Sequence, residues 1–233
     1  MKRFIAALAV AVALAGCGPT KAATRDFPVG GGFDRVTNAS PFDVHIRTGG
    51  APAVHAEGPQ ALLDRLQVVA GNGTLTVSMR QGGWINGWNS HGVRTVVDVS
   101  LPTLRAARVS GPGDLTVDRV RTDRFAVQLD GPGDLTVASV EAHNLDVALS
   151  GPGNIRLAGR ADTGRLDLSG PGDIRAGDLA LRDAALTLTG PGNLTVTATG
   201  TARGSLSGPG DITVQGGARC DIRKSGPGEV HCR

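Results

Sequence analysis

Seven copies of the tripeptide Gly-Pro-Gly recur along the second half of the chain. They begin at Gly111, Gly131, Gly151, Gly170, Gly190, Gly208 and Gly226, so successive copies lie 20, 20, 19, 20, 18 and 18 residues apart. A near-constant period of about 20 residues is typical of solenoids, in which each repeat forms one unit that stacks on its neighbour. The period therefore constrains the architecture before any single residue is considered.

The residues on both sides of each tripeptide alternate between apolar and polar, as in 125–129 before one corner and 134–137 after it. This alternation is the period of a β-strand with one buried face. Each repeat therefore predicts a strand, a sharp corner and a second strand. Proline presets φ near about −65° and glycine accepts positive φ, so the corner predicts a type II turn.

Two other repeat architectures fit the sequence less well. A leucine-rich repeat would place its asparagine closer to the last strand leucine, whereas Asn193 follows Leu188 by five residues. A β-propeller blade needs about 40 residues. The prediction is an all-β protein: a right-handed, single-stranded parallel β-helix with an irregular, β-rich N-terminal cap that contains one short helix.

The first 17 residues are typical of a bacterial lipoprotein signal peptide. Lys2 and Arg3 precede an apolar run, and the sequence Leu14-Ala15-Gly16-Cys17 resembles a lipobox. We predict lipid attachment at Cys17 and a membrane-anchored, exported protein, with the outer membrane favoured because Gly18 follows the cysteine. An ordinary signal peptide or a short membrane anchor is the alternative.

The chain divides into four predicted segments. They are the signal peptide (1–17), a tether (18–29), the cap (30–102) and the Gly-Pro-Gly β-helix (103–233). Within the cap, residues 67–79 predict a hairpin around Gly71-Asn72-Gly73, and residues 59–66 predict a short helix that begins at a proline.

The charge balance argues against a nucleic-acid partner. Without Lys2 and Arg3 the chain keeps 22 of its 24 basic residues against 21 acidic ones, a net charge near +1. No basic stripe interleaved with aromatic residues is present, as a nucleic-acid-binding surface would require.

Two cysteines remain after the signal peptide. Cys220 and Cys232 each lie six residues from Gly226, on opposite sides of the last corner. Extending the inward-facing positions places both in the lumen of the final coil, so we predict a disulfide that closes the end of the stack. Two free buried thiols are the alternative.

Several sequence motifs, in their order along the chain, resemble the GIN-domain family, which is named for the head domains of auto-transporter adhesins. The motifs are Gly32-Phe33-Asp34-Arg35-Val36, Pro41-Phe42-Asp43-Val44-His45-Ile46, Gly73-Thr74-Leu75-Thr76-Val77, and Leu101-Pro102-Thr103-Leu104 leading to Val109-Ser110-Gly111-Pro112-Gly113-Asp114. The resemblance covers residues 30–233. It implies a right-handed β-helix on exported, often lipid-anchored bacterial proteins, with no established activity.

One polar column follows the corners and is predicted to cap the turns. Its members are Asp114, Asp134, Asn154, Asp173, Asn193 and Asp211. Stacked carboxylates could instead bind Ca²⁺, but the nine-residue period of a calcium β-roll is absent. We predict no metal and no cofactor.

Trp84 and Trp88 are candidate ligand-binding residues, because tryptophan rings can stack on sugars. The alternative is that the rings plug the first coil. We predict a non-enzymatic, lipid-anchored envelope protein whose β-helix is an adhesin-like interaction surface for glycans or other envelope proteins. Two further hypotheses are a β-helix enzyme acting on acidic polysaccharide through Asp134 and Arg156, and a passive envelope spacer.

Overall fold

A computed structural model describes residues 22–30, 32–80 and 94–233. Seventeen strands and one helix make up the described part. The N-terminal elements are β1 (Ala23–Phe27), β2 (Arg35–Asn38), β3 (Asp43–Thr48), β4 (Ala53–Gly58), α1 (Gln60–Leu63), β5 (Leu66–Gly71), β6 (Thr74–Met79), β7 (Val96–Leu101), β8 (Ala106–Val109) and β9 (Leu115–Val117). The repeats supply β10 (Val120–Leu129), β11 (Leu135–Leu149), β12 (Ile155–Leu168), β13 (Ile174–Thr189), β14 (Leu194–Ser207), β15 (Ile212–Gln215), β16 (Arg219–Ser225) and β17 (Val230–Cys232).

The repeats form a parallel β-solenoid, as predicted. Each long strand bends around one coil and pairs in parallel with the next, β11 with β12, β12 with β13 and β13 with β14. Equivalent positions of successive repeats lie side by side. The period in the sequence is therefore the length of one coil.

Aliphatic side chains fill the lumen in columns that run along the axis. In one column the strand register places each residue beside its equivalent in the next coil, and every member is 0% exposed: Leu135, Ile155, Ile174, Leu194 and Ile212. At about 25 cal/mol per Å² of buried apolar surface, such continuous columns are the main stabilising contribution.

The Gly-Pro-Gly corner is not the type II turn that the sequence predicts. A type II turn needs positive φ at its third position, yet the second glycine has a negative φ in all seven corners, which lie within the described residues. Where a corner glycine does have positive φ it is the first one, as at Gly190 (131°), Gly208 (127°) and Gly226 (123°). Turn geometry alone therefore does not explain the second glycine.

Close stacking of backbones explains it instead. A Cβ on Gly153 would lie 2.0 Å from the carbonyl oxygen of Gly133, and one on Gly172 would lie 1.9 Å from that of Gly153. No side chain can occupy such a position without moving backbone. The corner column thus requires glycine because the backbones of successive coils touch there.

The cap continues the same lumen, but its coils do not stack in chain order. Strand β2 lies between β6 and β8, and β3 lies between β7 and β9, with parallel pairing in each case. The first coil of the chain is therefore inserted between the second and the third. Antiparallel strands β4 and β5 pair with β7 and β6 and cover that end of the stack.

A buried asparagine replaces Gly-Pro-Gly at the first corner. Asn38 is 0% exposed, and its Nδ2 donates hydrogen bonds to the carbonyl oxygens of Phe42 (2.9 Å) and Gly113 (3.2 Å). Its Oδ1 accepts hydrogen bonds from the backbone N–H (3.0 Å) and the hydroxyl (2.7 Å) of Ser40. One side chain thereby satisfies the buried polar groups of a corner that lacks the tripeptide.

The hairpin prediction is confirmed, and the helix is shorter than expected. Strands β5 and β6 pair around a turn in which Asn72 (φ 52°) and Gly73 (φ 75°) are both left-handed, as a type I′ turn requires. The helix spans only Gln60–Leu63, with Pro59 directly before it.

The predicted tether is wrong from Ala23 onward. Strand β1 pairs antiparallel with β4, and the Arg25 guanidinium donates to the carbonyl oxygen of Leu63 at 2.9 Å. The free edge of β4 supplies hydrogen-bond partners, and Phe27 packs against the core. A polar composition alone did not reveal this pairing.

We expect Gly153→Ala to destabilise the protein by at least about 1–3 kcal/mol, because overpacking must displace the corner of the neighbouring coil. Urea unfolding followed by circular dichroism measures this change. The matched control is Gly71→Ala, where an added Cβ meets no atom within 4 Å. Equal effects of the two substitutions would contradict the stacking argument.

Candidate functional site

The polar corner column forms a hydrogen-bonded ladder between coils. The backbone N–H of Asp134 donates to Asp114 Oδ1 at 2.8 Å, and that of Asn154 donates to Asp134 Oδ1 at 2.8 Å. Four further bonds continue the series to Glu229, with lengths of 2.7 to 3.3 Å. Each side chain thus bonds the next coil, and an Asp or Asn oxygen serves equally well.

No metal centre is evident in the described part of the chain. No group of three or more His, Cys, Asp or Glu residues there has an arrangement that could hold a metal ion. In the ladder, backbone N–H groups occupy oxygens that a Ca²⁺ site would need.

A charged depression lies on the side of the solenoid, near the middle of strands β11 and β12. We call it the lateral groove. It has a volume of about 440 Å³ and is lined by Arg121, Thr122, Asp123, Glu141, Ala142, His143, Arg160, Ala161 and Asp162. These residues come from β10, β11 and β12, and the parallel register aligns Arg121, Glu141 and Arg160 in one column.

Two arginines bracket Glu141 in the lateral groove. Arg121 donates from Nε (2.9 Å) and from a terminal nitrogen (2.6 Å) to Glu141 Oε2, while Arg160 bonds the other carboxylate oxygen. The hydrogen bonds from Arg160 and then Arg121 lower the pKa of Glu141. All three side chains are solvent-accessible, so the pairs order the surface more than they stabilise the fold.

His143 lies between two aspartates in the same groove. Its Nδ1 lies 2.6 Å from Asp162 Oδ2, and its Nε2 lies 3.8 Å from Asp123 Oδ1. The hydrogen bond with Asp162 is the main cause that raises the pKa of His143, and it also lowers the pKa of Asp162. The charge on this imidazole therefore persists to a higher pH than on a free histidine.

A second depression of about 320 Å³ adjoins the groove and is lined by residues of β10 to β14. Asp183 accepts hydrogen bonds from Arg182 (2.8 Å) and from the Thr201 hydroxyl (2.7 Å), and these contacts lower its pKa. Arg165 donates to Asp167 at 2.7 Å, which raises the pKa of the guanidinium. Most charges on this side of the solenoid are paired with one another.

The sequence-predicted residues do not converge on one site. Trp84, Trp88 and Cys17 lie outside the described residues. In the described residues, no hydrogen bond or ion pair joins the two residues suggested for polysaccharide cleavage: Asp134 Oδ1 accepts from Asn154, and Arg156 lies beside Thr136 and Arg175 in the next column. Sequence reasoning missed the lateral groove, although its charges recur at the repeat period.

A disulfide joins the two strands of the last coil. Cys220 lies opposite Ala202 and Cys232 opposite Val214, the lumen columns that the sequence assigns to them. Their sulfur atoms are bonded. The bridge closes a loop across the final corner and restrains the end of the stack.

A family model described as "Putative auto-transporter adhesin, head GIN domain" matches residues 32–218. The chain belongs to this family. The match begins with the first cap motif and ends one residue before β16, so the cap and nearly all of the solenoid lie within the domain.

Solved structures share this fold at low sequence identity. A structure from Bacteroides fragilis named a putative adhesin is 23% identical, with a TM-score of 0.85 over 92% of this chain and 98% of that one. One from Parabacteroides distasonis, named a putative lipid binding protein, is 19% identical, with a TM-score of 0.73 over 93% and 98%. A putative adhesin from Parabacteroides merdae is 18% identical, with a TM-score of 0.72 over 93% and 98%.

Curated protein sequences provide no match to this chain. In the described ranges, no helix has the length and apolar character needed to cross a membrane.

We expect Asp134→Ala to destabilise the solenoid by about 1 kcal/mol, because the Asn154 N–H loses its acceptor. Asp134→Asn should retain most of the stability, since the amide oxygen can accept the same bond. Thermal and urea unfolding with and without added Ca²⁺ measure both variants. The hydrogen-bonded ladder would be contradicted if both variants lost the same amount of stability. It would also be contradicted if Ca²⁺ stabilised the unsubstituted protein but neither variant.

We expect the raised pKa of His143 to fall towards about 6.5 in Asp162→Asn. Because the folded-state pKa is raised, the stabilising contribution is complete below the unfolded pKa and is lost as pH rises through the folded value. Titration of the imidazole resonances by NMR measures both proteins. An unchanged His143 pKa would argue against the Asp162 contact.

Proposed function

We propose that the protein is a non-enzymatic, lipid-anchored component of the bacterial cell envelope. Its rigid solenoid presents an adhesin-like interaction surface. The observation that carries the proposal is the lateral groove, in which charged side chains from three parallel strands are held in fixed positions by hydrogen bonds to one another. Membership of a family named for adhesin heads supports the same interpretation.

A lipid anchor at Cys17 would join the chain close in sequence to the cap. Cys17 precedes the start of β1 at Ala23 by six residues, and β1 pairs with β4 in the cap. From β7, which pairs with β4, nine strands lie side by side in parallel along one face of the solenoid: β7, β3, β9, β11, β12, β13, β14, β15 and β17. Eight steps of about 4.8 Å place β17 roughly 40 Å from β7.

The lateral groove has the chemistry of a glycan-binding surface. Sugar hydroxyls both donate and accept hydrogen bonds, and Arg, Asp and Asn side chains provide fixed partners for them. Asn144 and Thr163 extend the polar surface beside the groove and bond each other at 2.9 Å. Trp84 and Trp88 remain the candidate stacking residues for such a ligand.

The described surface favours a polar ligand over an apolar one. Among the described residues, Val69 is the single large hydrophobic residue that is exposed, at 60%. Aliphatic side chains fill the lumen. A polar partner such as a glycan therefore fits this surface better than a buried lipid chain.

A glycan array probed with the full-length chain in detergent tests the proposal. We expect binding to at least one class of bacterial or host glycan, weakened about tenfold or more by Arg121→Ala with His143→Ala, and by Trp84→Ala with Trp88→Ala. Arg47→Ala, on a cap strand away from the groove, is the matched control.

Three outcomes would overturn this function. Absence of binding to any glycan or envelope fraction would favour the passive spacer, and release of reducing sugar would favour the enzyme. Failure of a Cys17→Ser variant to change membrane fractionation would refute the lipid anchor. Protease treatment of whole cells then distinguishes display at the surface from a periplasmic position.

A further inference from the structure

The two ends of the solenoid differ in how their backbones are covered. Antiparallel strands β4 and β5 cover the cap end. At the other end, β16 pairs with β14 along one edge only, and no other described strand pairs with its outer edge. We call this outer edge of β16 the terminal edge. It presents backbone N–H and C=O groups along seven residues.

Unpaired cations surround the terminal edge. Seven of the ten arginines between residues 105 and 182 form an ion pair with a carboxylate. After residue 200 no arginine or lysine side chain in the structure has such a pair. These exposed side chains are Arg203, Arg219, Arg223, Lys224 and Arg233.

The acidic residues of this end do not compensate for those cations. Asp211 accepts the backbone N–H of Glu229 at 2.7 Å, and the Glu229 carboxylate lies 3.1 Å from His231. Asp221, the remaining side-chain carboxylate after residue 200, has no ion pair; it lies beside Arg203 in the strand register and between Arg219 and Arg223 on the outward face of β16. Five cations thus face three carboxylates, two of which have other contacts.

Lys224 restricts which side chains a strand added to the terminal edge can carry. The strand register places it above Leu206, at the end of a lumen column that otherwise contains leucines: Leu129, Leu149, Leu168, Leu188 and Leu206. An apolar strand added to β16 would bury this ammonium group without a partner, which is costly. A strand that carries carboxylates would pair with it instead.

The spacing of the charges fits an extended polypeptide. Arg219 and Arg223 point outward from β16, and Lys224 follows the inward column. Side chains of an extended peptide alternate faces with a period of two, so acidic residues on both faces would meet cations on both faces. A glycan or a lipid headgroup could neutralise the charges but does not present N–H and C=O groups at the spacing of a β-strand, as an extended polypeptide does.

We propose that the terminal edge binds an extended, acidic polypeptide segment by β-strand addition. Backbone hydrogen bonds to β16 provide affinity, and Arg219, Arg223 and Lys224 select carboxylates, as in other cases of strand addition. This site is separate from the lateral groove, so the result of a binding test at the terminal edge leaves the glycan proposal unchanged.

The test uses the full-length chain in detergent and the fluorescent peptide acetyl-Glu-Val-Thr-Val-Glu-Glu-Thr-amide. In parallel register with residues 219–225, this peptide places glutamates opposite Arg219, Arg223 and Lys224, and a threonine opposite Asp221. We expect fluorescence anisotropy to show saturable binding that weakens at least tenfold in the double variant Arg219→Glu with Arg223→Glu. The control double variant, Arg119→Glu with Arg156→Glu, makes the same charge change elsewhere on the solenoid, at two exposed arginines for which the described residues provide no ion pair, and should retain binding. Circular dichroism verifies that both variants are folded.

Two further peptides separate strand addition from adsorption. A peptide of the same length with lysine in place of each glutamate should not bind, and the acidic peptide with alternate amides N-methylated should bind at least tenfold more weakly. Equal binding of the methylated peptide, stronger binding of polygalacturonate or anionic vesicles, or retained binding in the Arg219/Arg223 variant would overturn the proposal. Dimerisation of the chain through this edge in analytical ultracentrifugation, without peptide, would also overturn it.

Discussion

Direct contact between backbones at the Gly-Pro-Gly corner sets the geometry on which the rest of the structure depends. Because the corners of successive coils touch, the strands on both sides stay in register over every repeat. Register alignment then places aliphatic residues in unbroken lumen columns and brings each Asp or Asn oxygen to the N–H of the next coil. Core packing and the polar ladder are both consequences of this one close approach.

The sequence predicted the features that depend on this period and missed those that do not. The coil length, the columns that Cys220 and Cys232 continue and the hairpin at Asn72 follow from spacing or from local turn chemistry. The buried role of Asn38 and the pairing of β1 depend on residues about 30 to 75 positions away. The prediction of a type II turn was wrong because a glycine that recurs at every corner can reflect either positive φ or a lack of space for a side chain. The sequence alone does not distinguish these two causes.

The candidate surface illustrates the same division. The corner column and the two tryptophans stand out in the sequence because each set belongs to one recognisable motif. The lateral groove instead combines Arg121, Glu141 and Arg160 from three different repeats. Their opposite charges occupy equivalent positions of successive coils, so writing the repeats in aligned columns would have revealed them. The contact between His143 and Asp162 depends on how the chain bends between paired segments, which spacing does not specify.

The displaced first coil has a consequence for how the chain acquires its structure. Strand β2 pairs with β8 across about 70 intervening residues, whereas neighbouring repeats pair across 18 to 20. Closing a long loop carries a larger entropic cost and slows the formation of the contact. The repeats can therefore assemble by short-range zippering, while the first coil must wait until β6 to β9 are available on both sides of it. The first coil, although it is synthesised before the others, cannot complete its pairing until the chain has been made as far as β9.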